Sequence, residues 1–483
     1  MKQYISIALI MLLAACHKGV YTTDDEHPAL FPDYADATVP INIAPLCFSV
    51  HTNLKAYASF RFQDFAFEVA SNRRGEFIIP TARWTQLLQL AKGDQAEVAV
   101  AVVKDGVRQP VRSFGIHVAR EPVDPYIAYR LIEPGYALWN KMGIYQRRLS
   151  DFTESAVYEN KMTGYNCVNC HSFCRQQPDK MLFHLRAKHA GTVMIDGDDV
   201  DILQTKTEQT ISALVYPSWH PSGRFVAFSV NRTTQEIHPT QRTEVFDLAS
   251  DVVVYDVETQ TILTTPSIFS KNVFETFPTF SPDGRTLYFC AAPACAVPDS
   301  IQDLRYSLCS IDFDPDAKSF GRQVDTLYNA ESHRQSVSFP RVSPDGRFLM
   351  CTLSSYGTFS IWHKDADLYL IDLETRTGQY PAQVNSDQAE SYHSWSSNSR
   401  WVVFSSRRLD GLYTRPFIVY IDANGEAAKP FLLPQKKIAT YYTDLMQSYN
   451  IPEFVAGKIP NRSYAIMKKA KKPATHQQVL FSK

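Results

Sequence analysis

Five consecutive residues carry the most specific chemistry in the chain: Cys167-Val168-Asn169-Cys170-His171. Two thiols three positions apart can add to the two vinyl groups of one haem, and the following histidine then lies beneath the iron. On that reading Cys167 and Cys170 attach haem c and His171 is the proximal iron ligand. Met181, His184 and His189 downstream, and Met162 upstream, are the candidates for the second axial position. Two other readings use the same residues. Cys174 extends the pattern to C-x2-C-H-x2-C, which with a further histidine is a structural zinc site. Alternatively two of the three thiols are disulfide-bonded, one of them to Cys47, in an oxidising compartment.

The elements that must position these residues begin with an export signal. The chain opens Met1-Lys2-Gln3, runs through the apolar stretch Tyr4 to Leu13 and reaches Leu13-Ala14-Ala15-Cys16. One positive charge, a short hydrophobic run and small residues before the cut describe a secretory signal peptide, too short for a permanent span. Leu-Ala-Ala-Cys resembles a bacterial lipobox, which implies a signal peptide over residues 1–15, cleavage before Cys16 and lipidation of its thiol. His17, rather than an aspartate, follows the cysteine. In the lipoproteins this resembles, that implies an outer-membrane anchor, on either its periplasmic or its surface face. Residues 16–38 are polar and proline-containing, and read as a tether. Haem is attached outside the cytoplasm, so the signal and the CxxCH motif agree.

Of the 483 residues, 45% are hydrophobic and 20% charged, which excludes wholesale disorder and a polytopic membrane protein. The balance of 49 basic against 50 acidic residues gives no reason to expect nucleic acid as partner.

The C-terminal half repeats. Ser218-Trp-His-Pro-Ser-Gly-Arg, Thr279-Phe-Ser-Pro-Asp-Gly-Arg, Arg341-Val-Ser-Pro-Asp-Gly-Arg and Ser394-Trp-Ser-Ser-Asn-Ser-Arg align without gaps. In each, a strand ends in a tight turn whose Pro presets φ and whose Gly takes positive φ, and a second strand runs back. A third strand follows, as in Asp251-Val-Val-Val-Tyr-Asp and Asp367-Leu-Tyr-Leu-Ile-Asp. Units of 50–60 residues with four strands each are blades of a β-propeller. These segments resemble the WD40-like repeats of TolB-type propellers. Asp283 and Asp345 then serve the turns, Cys290 and Cys295 enclose a loop they could bridge, and Cys309 and Cys351 fill strands. Residues 182–207 supply three further strands without a first one, which residues 452–458 could provide, closing a ring of five blades. A sixth requires more strand from the CxxCH region or the C-terminus.

Before the motif, residues 39–120 alternate apolar and polar positions between turn signals, predicting a small Ig-like β-sandwich in which Trp84 to Leu90 forms a helical insertion. Residues 121–180 show no clear period and read as a linker carrying CxxCH, with the propeller spanning 181–483. The fold class is therefore all-β: a propeller of five to six blades after a small sandwich. This order of anchor, sandwich, CxxCH and propeller resembles Bacteroidetes-type lipoproteins described as TolB-like or cytochrome c biogenesis-like. The resemblance implies an envelope lipoprotein whose propeller funnel binds a protein or peptide and which carries a covalent haem. An electron-transfer protein with a redox partner, and a haem-free scaffold with a disulfide or zinc, are the alternatives. No G-x-S-x-G elbow occurs, and too little chain follows residue 434 for a hydrolase domain, so the balance is against an enzyme. The basic stretch Lys468 to Lys472 reads as a solvated tail.

Overall fold

The computed structural model describes residues 29–133, 140–238 and 242–481, so the signal segment, Cys16 and the first part of the tether lie outside the described residues. Alternation builds the N-terminal unit: Ala56, Ala58 and Phe60 of strand Ala56–Phe62 face inward. That strand lies in a five-stranded sheet with Thr38–Val39, Val107–Val118, Gln95–Lys104 and Phe65–Ala70. A three-stranded sheet of Leu30–Phe31, Phe48–Val50 and Glu76–Phe77 completes the sandwich. Residues 30–37, expected to belong to the tether, are instead part of the sandwich: Leu30, Ala35 and Ala37 are buried in its core. The helical insertion is helix α1, Thr81–Leu90; Trp84, Leu87 and Leu88 form its buried face, and the Trp84 indole donates to the Ile43 carbonyl at 3.0 Å.

The remaining described residues form a six-bladed propeller. Blade 2 contains Val168–Phe173, Lys180–Leu185, Gly191–Asp196 and Asp199–Gln204; blade 3 begins with Leu214–Trp219, blade 4 with Val273–Phe280, blade 5 with Ser336–Val342 and blade 6 with Glu390–Trp395. Blade 1 takes Tyr126–Ile132, Gly143–Arg148 and Glu154–Glu159 from the segment expected to be a linker. Its innermost strand is Ser448–Val455, antiparallel to Tyr126–Ile132. The closing strand was thus sought in the right part of the chain but assigned to the wrong blade: residues 182–207 already have a local first strand, Val168–Phe173, which carries the CxxCH motif. The segment is not a linker: Tyr126–Ile132 is nearly continuously apolar and buried on both faces, and Gly143–Arg148 and Glu154–Glu159 mix polar and apolar residues without strict alternation, so none shows the period of a half-buried strand.

The repeats close as their residues suggest. Arg224 pairs with Asp256 at 3.1 Å and Arg347 with Asp372 at 2.7 Å, tying each tight turn to the end of its third strand. Asp283 and Asp345 each accept the hydroxyl of the serine two residues earlier and the backbone N–H of the arginine two residues later. Cys290 and Cys295 are both free thiols, as is every described cysteine. The C-terminal segment is not a solvated tail. Helix α2, Ser463–Ala470, buries Ile466 and Ala470 on the blade 1–2 core, and Lys469 pairs with Asp201 at 2.8 Å. Gln477–Gln478 then pairs parallel to the outer strand of blade 2, and Leu480–Phe481 to that of blade 3. No helix among the described residues is long and apolar enough to cross a membrane.

Candidate functional site

The innermost strand of each blade breaks register once, at a β-bulge. The residue entering each bulge is left-handed: Cys170, Tyr216, Phe277, Phe339, Tyr392 and Ile451 have φ between 48° and 53°. For bulky residues this conformation is costly and persists only where surrounding structure enforces it. The next residue is Pro217, Pro278, Pro340 or Pro452 in four blades and His171 or His393 in two. Proline is tolerated because a bulge takes one residue out of the hydrogen-bonded ladder. Cys170-His171 is therefore the blade 2 copy of a repeated aromatic-Pro pair. That pattern lies just upstream of the Pro-Asp-Gly-type repeats, where Tyr216-Pro217, Phe277-Pro278 and Phe339-Pro340 are its signal in the sequence.

Together the bulges line a central cavity of about 740 Å³. Aromatic rings form an arc on its wall: Tyr216 and Phe277 have centroids 4.6 Å apart, Phe277 and Phe339 4.1 Å, and Phe339 and Tyr392 4.9 Å. The hairpin of Phe225–His238 and Arg242–Asp256 extends well past its blade and adds Asn231, Thr233 and Thr243 to the wall. Its Glu244 accepts the Tyr356 hydroxyl at 2.9 Å and meets His363 Nε2 at 3.1 Å, pinning the hairpin to blade 5.

Two residues beyond each bulge entry stand Ser172, Ser218, Thr279, Arg341, Ser394 and Glu453. Arg341 and Glu453 line both this cavity and a second one of about 360 Å³ on the opposite side, so they mark the waist between them. Burial raises the Glu453 carboxyl to about 7, against the attraction of Arg341. Burial, reinforced by a neighbouring arginine in each case, holds His171, His184 and His393 down to about 3, so all three are neutral.

Several buried polar atoms at this cavity lack hydrogen-bond partners: Arg130 Nε, Asn169 Oδ1, His184 Nε2, Asn231 Oδ1, Thr243 Oγ1 and His393 Nδ1. The His171 ring makes no well-formed hydrogen bond either, only a contact with the Ile451 backbone. Buried polar groups are ordinarily satisfied, and these exceptions all belong to residues that line one cavity.

The predicted haem and zinc residues do not gather. Cys167 is packed in the apolar core between blades 1 and 2, beside Met142, Tyr158 and Met181. Cys170 and His171 open on the central cavity, and Cys174 lies in the core between blades 2 and 3. His184 also lines the cavity, with Nδ1 held by Thr192 at 2.9 Å, whereas His189 lies in a half-buried turn. One porphyrin edge cannot meet two thiols that face separate compartments, so this donor set does not fit a covalent haem. Cys167 and Cys174 likewise belong to opposite sides of one blade, which does not fit a shared zinc ion. Among the described residues no group of three or more His, Cys, Asp or Glu is arranged to hold a metal.

No family model matches the chain, and no curated protein matches it. Solved structures do. A TolB from Agrobacterium tumefaciens is 14% identical, with 65% of this chain and 89% of that one covered and a TM-score of 0.38. A periplasmic gluconolactonase from Pseudomonas aeruginosa is 14% identical, with 69% and 100% covered and a TM-score of 0.37. A β-propeller domain from Myceliophteria thermophila is 11% identical, with 55% and 70% covered and a TM-score of 0.33.

Proposed function

We propose that this chain is a haem-free lipoprotein of the bacterial cell envelope, anchored through Cys16, whose propeller is a binding module with its ligand site in the central cavity. The observation that carries the reading is the convergence of buried, unpartnered polar atoms from several blades on one cavity. A cavity of about 740 Å³ falls in the range that encloses a small molecule or the end of a peptide. It cannot admit a folded protein, so a protein partner would engage it through a projecting segment. The divergence of Cys167 and Cys170 speaks against an electron carrier.

Native mass spectrometry of the protein purified from envelope fractions tests the site. We expect a co-purified small molecule or peptide, absent from an Asn169→Leu, Asn231→Leu variant that folds. A ligand retained by that variant would place binding elsewhere. Cys16→Ser should move the protein from the membrane to the soluble fraction. Co-expression with haem-maturation machinery should leave no haem stain on a denaturing gel, and a stain lost on Cys167→Ala would overturn the haem-free reading.

A further inference from the structure

Arg130 and Arg341 reach the cavity from blades 1 and 5, and neither has a carboxylate within ion-pair distance among the described residues. Arg130 is 8% exposed, with its Nε unpartnered. Arg341 is half-buried at the waist, where desolvation lowers its affinity for its own proton. The acid facing it, Glu453, is itself pushed toward its neutral form by burial and accepts only the Phe173 amide at 3.3 Å. By contrast, Arg407 at the same cavity donates to the carbonyls of Ile361 and Leu412 and lies over the Trp362 ring, and is held in place by them.

Burying a guanidinium without a counter-charge costs several kcal/mol, and proteins avoid it unless something supplies the anion. Two guanidiniums at one cavity, one buried and one half-buried, with neutral histidines beside them, leave a positive potential that the lining acids Glu133 and Glu453, neither ion-paired with them, offset only in part. The other orphaned atoms are informative too. Asn169 Oδ1 and Asn231 Oδ1 are acceptors, which need donors from the ligand, and the arc of Tyr216, Phe277 and Phe339 offers an apolar wall of mutually inclined rings.

Building on the central-cavity reading above, we infer that the ligand is a small organic anion whose carboxylate or phosphate lies between Arg130 and Arg341. Its body bears hydroxyl or amide donors toward Asn169 and Asn231, and one face rests on the aromatic arc. A sugar acid, a sugar phosphate and a peptide C-terminus share this chemistry. Glu453 competes with the anion for Arg341, so binding weakens as that carboxyl ionises.

The test titrates the mature chain carrying Cys16→Ser by calorimetry with glucuronate, glucose 6-phosphate and N-acetyl-dialanine. Each is run beside its neutral counterpart: glucose for the two sugars and the dialanine amide for the peptide. At least one anion should bind, and its neutral counterpart should bind about thirtyfold or more weakly. Arg341→Gln and Arg130→Gln should each cause a comparable loss. Glu453→Gln should tighten binding at pH 8 and leave it little changed at pH 5, an effect of opposite sign that a folding defect would not produce. Which anion binds separates the sugar and peptide sources. Equal binding of neutral and charged probes, lost on Asn169→Leu, would overturn the anion assignment and leave the central site standing. If no probe binds and both Arg→Gln variants lower Tm, the guanidiniums are structural and the inference fails.

Discussion

At the residue scale, the buried ionisable groups set how the protein responds to pH. His171, His184 and His393 take up a proton near pH 6.5 when unfolded but only near 3 when folded. Between those values the unfolded state alone gains protons, so stability falls as pH is lowered through that window. At pH 5 the loss should be about 2 kcal/mol per histidine, read as a lower urea midpoint than at pH 7. Glu275 behaves in the opposite sense. Burial, with Asp251 adding repulsion, raises its carboxyl to about 9, and its Oε2 has no partner. The folded state therefore keeps a proton that the unfolded chain loses near pH 4.5, and stability declines as pH rises toward 9. Glu275→Gln should remove that slope, raising stability at pH 8 by about 1–3 kcal/mol and leaving it unchanged at pH 4. None of this was legible in the sequence. Arg130, Arg341 and Glu453 are scattered over more than three hundred positions and acquire a common environment only when the ring closes. Cys167 and Cys170 mislead for the same reason: three-residue spacing predicts proximity, but the bulge at Cys170 turns it to the cavity and leaves Cys167 in a core.

At the scale of elements, much was legible. The tight turns of blades 3 to 6, their second and third strands, the three later strands of blade 2 and helix α1 all follow from period and turn chemistry. What escaped was strand identity where both faces are buried, as in blade 1, and every pairing made across the ring. The parallel straps Gln477–Gln478 and Leu480–Phe481 are two residues each, too short to carry a pattern. They and helix α2 should contribute measurably but not decisively: ending the chain after Pro460 should leave a folded ring with stability reduced by about 2–5 kcal/mol, through loss of buried Ile466 and Ala470. Ending it after Leu445 removes the inner strand of blade 1 and exposes the edge of Tyr126–Ile132. That chain should aggregate, which centrifugation and size-exclusion chromatography would show.

Over the whole molecule, the sandwich is not a bead on a string. One apolar core runs from Phe60 and Trp84 through Tyr34 and Leu149 to Trp401 and Phe417 of blade 6. Polar contacts follow the same seam. Asp124 accepts from the Ser397 amide at 2.8 Å and its hydroxyl at 2.6 Å, and the Trp401 indole donates to the Glu121 carbonyl at 3.2 Å. Sandwich and propeller should therefore unfold in one calorimetric transition, and Asp124→Ala should lower its stability by about 2–4 kcal/mol. Two separate transitions in the unaltered protein would show that the seam is weaker than its contacts imply.

Ring closure by Ser448–Val455 also fixes a timetable. A chain is synthesised from its N-terminus, so Tyr126–Ile132 waits beside an unpaired edge while more than three hundred further residues emerge. The cavity, whose wall includes Asn450 to Glu453, comes into being only with that last insertion. Synthesis that stops short yields a protein without the closed cavity and with an open strand edge, which chaperones and proteases can recognise. The cavity is thus completed late, as a certificate that synthesis has run past the closing strand.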